Sequence, residues 1–319
     1  MSGKKLKVAV IGVGSIAQIA ELPALARIPG VEITAAVARH QESIDRVMAR
    51  YPIKKGYLSF ESFIKEADQI DCGFVLTPKD VHPDHVIPLL DKGIDVFCEK
   101  PLSTSIRKAT EMVEVAEMNN RILMVGFNRR YAPVYVKAKE VFKNNPPEAC
   151  FAEKNRPQTE YRASLENAIH MVDLMRWYCG EIEEISSHAI FQDPYYETTL
   201  SVSIKFANRK SLGLLLANRS AGQWYEKIEL YGNGMTVIAD APDLVKIIDN
   251  EKESVIKMTP LAMGWARVED KMGFQQEVEH FIDCVRNRKE PITSGRDALK
   301  THILMDQILR KAGLPALED

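Results

Sequence analysis

The first half of the chain alternates short apolar runs with amphipathic stretches. Residues 8–11, 33–37, 72–76, 96–98 and 122–126 are compact runs rich in Val, Ile and Phe. Such runs, bounded by turn residues, predict buried strands. Between them, 42–50, 60–66, 83–92 and 105–119 have helical composition. The last carries Ala109, Met112, Val113 and Ala116 on one face, and Gly93 follows 83–92 as a C-cap. Strands separated by helices predict βαβ units and a parallel sheet. Ligands of such sheets bind beyond the carboxyl ends of the strands. Gly12, the residues after Val37, Thr77 with Pro78, Glu99 with Lys100, and Phe127 with Asn128 are therefore expected to converge on one crevice.

The pattern changes near residue 149. A strand over 148–154 and a helix over 167–177, ended at Gly180, precede strands at 185–191, 198–206, 211–218, 227–231, 235–239 and 244–248. Breaks at Asn208-Arg209-Lys210 and Gly232-Asn233-Gly234 are of hairpin type, so this sheet is mainly antiparallel. Helices over 272–286 and 296–311 end the chain. One lone helix is expected to cover part of this sheet, and the remainder is read as an oligomer interface.

The stretch 7–17 adds chemistry. Gly12, Gly14 and Ala17 form G-x-G-x-x-A between the first strand and a helix-forming segment. That context is what a dinucleotide fingerprint requires. Gly12 permits the tight turn, Gly14 lets backbone approach a pyrophosphate, and Ala17 keeps helix and strand close. The N–H groups at the helix start, from Ser15 and Ile16, face the phosphates. An ordinary glycine-rich βα turn is the alternative. The fold class is thus α/β: an N-terminal Rossmann NAD(P)-binding domain over 1–125, and a C-terminal α+β domain over 126–319 with a large, mainly antiparallel open sheet. The C-terminal helices are expected to pack back on the first domain.

Composition removes other classes. The chain has 319 residues, 45% apolar and 27% charged, with a formal net charge of −2. No basic field favours nucleic acid or an anionic membrane. Five widely spaced cysteines contain no C-x-x-C and, with seven histidines, no zinc spacing, so no metal is expected. Buried thiols, no signal peptide and no apolar run of membrane-spanning length make the cytoplasm the expected location.

The second strand ends in Val37, Ala38, Arg39 and His40. NAD-preferring domains usually place an acidic residue here. Ala38 removes the carboxylate that repels a 2′-phosphate, and Arg39 offers that phosphate a charge-assisted fork. NADP is favoured, with NAD as second choice. A solvated Arg39 with little discrimination is the alternative.

Cys98-Glu99-Lys100-Pro101-Leu102, preceded by Gly93-Ile94-Asp95-Val96, resembles the signature of the glucose–fructose oxidoreductase / inositol dehydrogenase / rhizopine-catabolism (Gfo/Idh/MocA) family. Thr77-Pro78 with His82, Gly126 to Tyr131 with Pro133, and His170 with Asp173 extend the likeness. So does the chain end, from Phe274 to Pro291 and then Gly295-Arg296-Asp297-Ala298. The resemblance implies a tightly bound nicotinamide cofactor, sugar, cyclitol or polyol substrates, and homodimers or homotetramers packed through the open sheets. Together with the crevice rule it assigns cofactor contacts to Gly12, Gly14, Ser15, Ile16, Arg39, His40, Thr77, Pro78, His82, Glu99, Lys100 and Asn128. Arg130, Tyr131, Arg156 and Asp173 are candidate substrate contacts.

Hydride transfer at an alcohol also needs a proton moved at the substrate oxygen. Lys100, at a strand end, is placed to stabilise alkoxide charge, and His170 is the candidate acid/base. Glu166 and Asp173, four residues before and three after His170, share its face if the helix extends that far. Either carboxylate then fixes the tautomer or raises the pKa. A hydrogen-bonded core histidine is the alternative. Lys154, Arg156, Tyr161 and Arg162 cluster nearby, and three cations there favour a carboxylate or phosphate on the substrate, unless the segment is a solvated loop. Family members commonly carry Asp-x-Gly-x-His where this chain has Glu166-Asn167-Ala168-Ile169-His170. Two further readings therefore stand beside an oxidoreductase: a catalytically idle NADP-binding regulatory protein, or a cofactor-retaining sugar hydrolase or isomerase using internal redox.

Overall fold

The computed structural model describes residues 5–157, 162–193, 196–258 and 267–318. Six strands form the first sheet: β1 (Leu6–Ile11), β2 (Val31–Val37), β3 (Lys55–Tyr57), β4 (Cys72–Val75), β5 (Asp95–Glu99) and β6 (Leu123–Gly126). They are parallel, in the order β3-β2-β1-β4-β5-β6. The order reverses between β1 and β4, the switch point where such sheets open a crevice. Helices α1 (Leu22–Ala26), α2 (Gln41–Arg50), α3 (Phe60–Ile64), α4 (His82–Asp91) and α5 (Ile106–Met118) link the strands. Central strands β1, β4 and β5 are buried on both faces over most of their length, hence their apolar runs.

The chain continues through α6 (Pro133–Val141), β7 (Ala149–Asn155), α7 (Ile169–Cys179), β8 (Ile182–Asp193), β9 (Tyr196–Phe206) and β10 (Leu212–Asn218). Then come β11 (Tyr225–Gly232), β12 (Met235–Asp240), β13 (Leu244–Asp249), β14 (Lys252–Lys257), α8 (Val268–Lys271), α9 (Phe274–Asn287) and α10 (Gly295–Lys311). The second sheet has eight strands in the order β14-β13-β12-β11-β7-β10-β9-β8, antiparallel except for the β7–β10 pair. The expected lone covering helix is corrected: α6, α7 and α10 all pack on this sheet. Strand β10 shows the consequence. Gly213, Leu215 and Ala217 are buried, whereas Leu212 and Leu214 on the other face are 62% and 55% exposed.

Helix α9 returns to the first sheet. Phe281 packs edge-on against Phe74 and Phe97 at 5.2 and 5.8 Å between ring centroids. Val278 and Ile282 are buried beside it, and each such side chain contributes about 1.5–3 kcal/mol on burial. This return holds the start of α9 against the 3₁₀ turn Asn128–Tyr131 and closes one side of the crevice. Among the described residues no helix is long and apolar enough to cross a membrane, and no cluster of three or more His, Cys, Asp or Glu is placed to hold a metal. All five cysteines are buried thiols.

Candidate active site

The carboxyl ends of β1, β2, β4, β5 and β6 lie along one edge, with Ile11 paired to Val37 and Val75, and Glu99 to Gly126. Gly12 has φ +92°, and a Cβ there would lie 2.8 Å from the Leu76 carbonyl oxygen. Only glycine satisfies both constraints. A Cβ on Gly14 would meet nothing within 4 Å, and Gly14 and Ser15 are exposed. The open space in front of Gly14 suits a phosphate brought against backbone. The helix begins at Ser15 and passes through a π turn over Ala17–Glu21 before α1. Its first N–H groups provide the donors for that anion. The residues present therefore fit a dinucleotide pyrophosphate. Arg39 and His40 follow β2 and are both exposed.

A cleft of about 620 Å³ extends from this loop to the second domain. Ile16, Glu99, Lys100, Asn128, Arg156, Glu166 and His170 line it, as do Arg129, Trp224, Lys271, Met272 and Phe274. Glu99 accepts the Lys100 backbone N–H at 3.0 Å, and burial raises its carboxyl pKa. The Lys100 Nζ donates to the Glu166 carbonyl at 3.0 Å. Burial, only partly offset by Glu99, lowers the Lys100 pKa to about 8. Asn128 donates to the Met272 carbonyl at 2.9 Å, so it ties α9 to the end of β6 while facing the cleft.

His170 lies in the first turn of α7, 5% exposed, and its Nδ1 has no hydrogen-bond partner among the described residues. Burial and the charges of Lys154, Lys100, Arg129 and Arg156 hold its pKa well below the ordinary imidazole value. The expected pairing with Glu166 or Asp173 is corrected. Residues Ala163–Ala168 form a π turn, so the i, i+4 register that aligns side chains in an α-helix breaks before His170. The Glu166 carboxylate instead pairs with Lys79 and accepts the Arg162 N–H at 2.9 Å. Burial raises its pKa, but these partners and Lys100 outweigh burial and keep it low.

Asp173 is held by Arg130 through two bonds of 2.7 and 2.6 Å. Arg130 also reaches Asp297 at 2.8 Å, and the Tyr131 hydroxyl bonds Thr293. Arg130, Tyr131 and Asp173 thus face α7, α10 and the segment before α10, not the cleft. His82 is likewise set behind the site. Its ring nitrogens approach the Pro101 and Thr77 carbonyls, both at 2.9 Å, and brace the loops after β4 and β5. Thr77 is half-buried and bonds His85, while Pro78 is exposed at the crevice edge. Tyr161 lies outside the described residues.

The sequence reading passed over Arg129. It forms a bidentate pair with Glu226 at 2.8 and 3.0 Å, and Glu226 also accepts from Lys154 at 2.5 Å and Tyr135 at 2.9 Å. All four are buried. Burial disfavours the Glu226 charge, yet Arg129 and Lys154 hold its carboxyl far below the ordinary range. Arg156 enters the cleft from β7, with its Nε bonded to Asn167 at 3.0 Å. Trp224 and Met272 carry no sequence signal of their own, because only folding brings the segments leading into β11 and α9 to this cleft.

Residues 6–127 match the family described as "Oxidoreductase family, NAD-binding Rossmann fold", GFO_IDH_MocA. The likeness to whole relatives runs nearly end to end. A putative oxidoreductase, YceM, of Salmonella typhimurium is 26% identical over 97% of this chain and 99% of its own. The chain's N-terminal domain is that of the Gfo/Idh/MocA family. This domain match and the inositol dehydrogenase relatives together support an NAD(P)-dependent oxidoreductase acting on CH–OH groups. The scyllo-inositol 2-dehydrogenase (NAD(+)) of Bacillus subtilis is 25% identical over 92% of this chain and 90% of its own. The solved dehydrogenase (MviM) of Clostridium difficile superposes with a TM-score of 0.86 at 26% identity, covering 96% of this chain and 99% of its own. Both the parallel sheet and the mainly antiparallel one are therefore shared with that structure.

Proposed function

We propose that the chain interconverts a secondary alcohol and a ketone on a sugar, cyclitol or related polyol, with Lys100 and His170 handling charge and proton at the substrate oxygen. The observation that carries this is the meeting of Lys100, His170 and Asn128 on the cleft that begins at the Gly12 loop. A bound nicotinamide cofactor supplies the hydride acceptor or donor. The Lys100 ammonium, half-buried at the cleft wall, donates a hydrogen bond where alkoxide charge develops. His170, held neutral by its surroundings, accepts the alcohol proton on oxidation and returns it on reduction. Glu166 anchors Lys100 through its carbonyl rather than orienting His170. The NAD(+)-dependent inositol relative supports a cyclitol-like substrate, and Ala38 with exposed Arg39 supports NADP as the preferred cofactor. The open face bearing Leu212 and Leu214 supports a homodimer or homotetramer.

The test is oxidation of a polyol panel by wild-type, Lys100→Met and His170→Asn proteins. A fall of about 10²–10⁴ in kcat with cofactor affinity kept supports these roles. Cofactor binding without reduction by any alcohol marks the idle regulatory reading instead.

A further inference from the structure

Lys79 and Glu166 join the two domains beside the cleft. Lys79 opens the 3₁₀ turn Lys79–Val81 after β4, and Glu166 lies in the π turn before α7. Their side chains form an ion pair through Oε1 of Glu166, and Oε2 accepts the Arg162 backbone N–H at 2.9 Å. The Lys100 Nζ is bound to the same residue, but to its backbone carbonyl, at 3.0 Å. Glu166 thus offers two kinds of acceptor, and each lysine takes a different one. Charge alone would arrange this otherwise, because a carboxylate is a stronger acceptor for an ammonium than a neutral carbonyl.

Building on the oxidoreductase reading, we propose that Lys79 is a positioning residue for Lys100. By engaging the Glu166 carboxylate it keeps that group off the Lys100 ammonium, which stays on a neutral carbonyl and available to a substrate oxygen. An ammonium locked to a carboxylate points at its partner and holds its proton more tightly. One resting on a carbonyl keeps N–H donors to spare. The other groups that face Lys100 are Glu99, Arg129, Arg156 and His170. Glu99 is turned back onto the Lys100 backbone N–H, Arg129 is paired with Glu226, Arg156 bonds Asn167, and His170 is held neutral. Glu166 is the facing carboxylate whose side chain can turn to Lys100 once its own cation is gone. The Arg162 N–H, a neutral donor, is then its weaker remaining hold.

The test titrates Lys100 in the full-length protein holding NADPH, by trace labelling with acetic anhydride across the alkaline range and mass spectrometry of the labelled peptide. Only the unprotonated amine reacts, so the labelling midpoint reports the protonation of Lys100. In the wild type it is expected at about 8. Lys79→Met should raise it by at least about one unit, which is about tenfold less free amine at neutral pH. Lys79→Arg should leave it within about 0.3 of a unit. The double variant Lys79→Met with Glu166→Gln should return it to the wild-type value or below, since no carboxylate is left to turn. Glu166→Gln alone should not raise it. The alkaline limb of polyol oxidation should move with the midpoint in each variant. An unmoved or lowered midpoint in Lys79→Met overturns the proposal. So does a rise that persists in the double variant, a rise in Glu166→Gln alone, or a wild-type midpoint already at the ordinary lysine value. The labelling needs no substrate, so its outcome is separate from the oxidoreductase reading, which fails instead if no polyol of the panel reduces NADP or NAD.

Discussion

Arg129 and Arg130 are neighbours in one 3₁₀ turn, both buried and both in bidentate ion pairs, yet they belong to different parts of the molecule. Arg130 enters a balanced network. With Arg176 and Lys300 it meets Asp173, Asp297 and Glu181, three cations against three carboxylates. That network joins α7 to α10 and is scaffold. Arg129 enters an unbalanced one, sharing Glu226 with Lys154, and it lines the cleft. Buried ion pairs of this kind add little net stability, but removing one partner is severe. The balanced set holds the shape, and the unbalanced set establishes the field in which His170 and Lys100 titrate.

The comparison is most open to attack at Glu226. Glu226→Gln strands two buried cations and is expected to cost about 3–5 kcal/mol in urea unfolding. Its folded carboxyl pKa lies below the unfolded value, so its contribution is present above about pH 4.3 and fades as pH falls through the folded value. The variant should therefore show a flatter acid stability profile. An unchanged profile would mean that the network is not ionised as described.

Next in size is the chemistry itself. His170 must be neutral to accept a proton, and Lys100 charged to hold an alkoxide. The kcat/KM for oxidation should rise through a pKa below the ordinary imidazole range and fall above about pH 8, where Lys100 loses its proton. Lys100→Met should abolish the upper limb. An upper limb that survives in this variant assigns it to another group.

Asp173→Asn is smaller, because Asp297 still pairs with Arg130 at 2.8 Å. A loss of about 1–3 kcal/mol in stability is expected, with little change in cofactor affinity. A large change in substrate KM would place Arg130 in the site and dissolve the contrast. The smallest effect is at Arg39. Arg39→Ala should weaken NADPH binding about tenfold and move stability by less than about 0.5 kcal/mol, since the side chain is exposed.

How much of this was legible in the chain varies with the kind of signal. The first sheet was readable because its strands are buried on both faces and announce themselves as apolar runs, as at 72–75. β3 was not, with three residues, nor was β14, whose Lys252–Lys257 is mostly exposed and charged. Helix α6 went unread because Val134, Tyr135 and Val136 have strand composition, although Pro133 sits in its first turn. In the site, Lys100 and His170 stood out because strand ends and a helix start place them. The Glu166–His170 pairing failed because spacing arguments assume an α-helix, and Ala163–Ala168 is a π turn. No local pattern separates Arg129 from Arg130. Their partners Glu226 and Asp173 lie far along the chain, and only the packing of β11 and α7 tells them apart.

The most direct test of the central claim, that one cleft joins the Gly12 loop to Lys100 and His170 as a hydride-transfer site, is a crystal structure of the protein with NADPH bound. The account predicts the pyrophosphate on the backbone in front of Gly14 and the nicotinamide ring in the cleft between Lys100 and His170. A nicotinamide ring seated elsewhere, or phosphates away from the Gly12 loop, would contradict it.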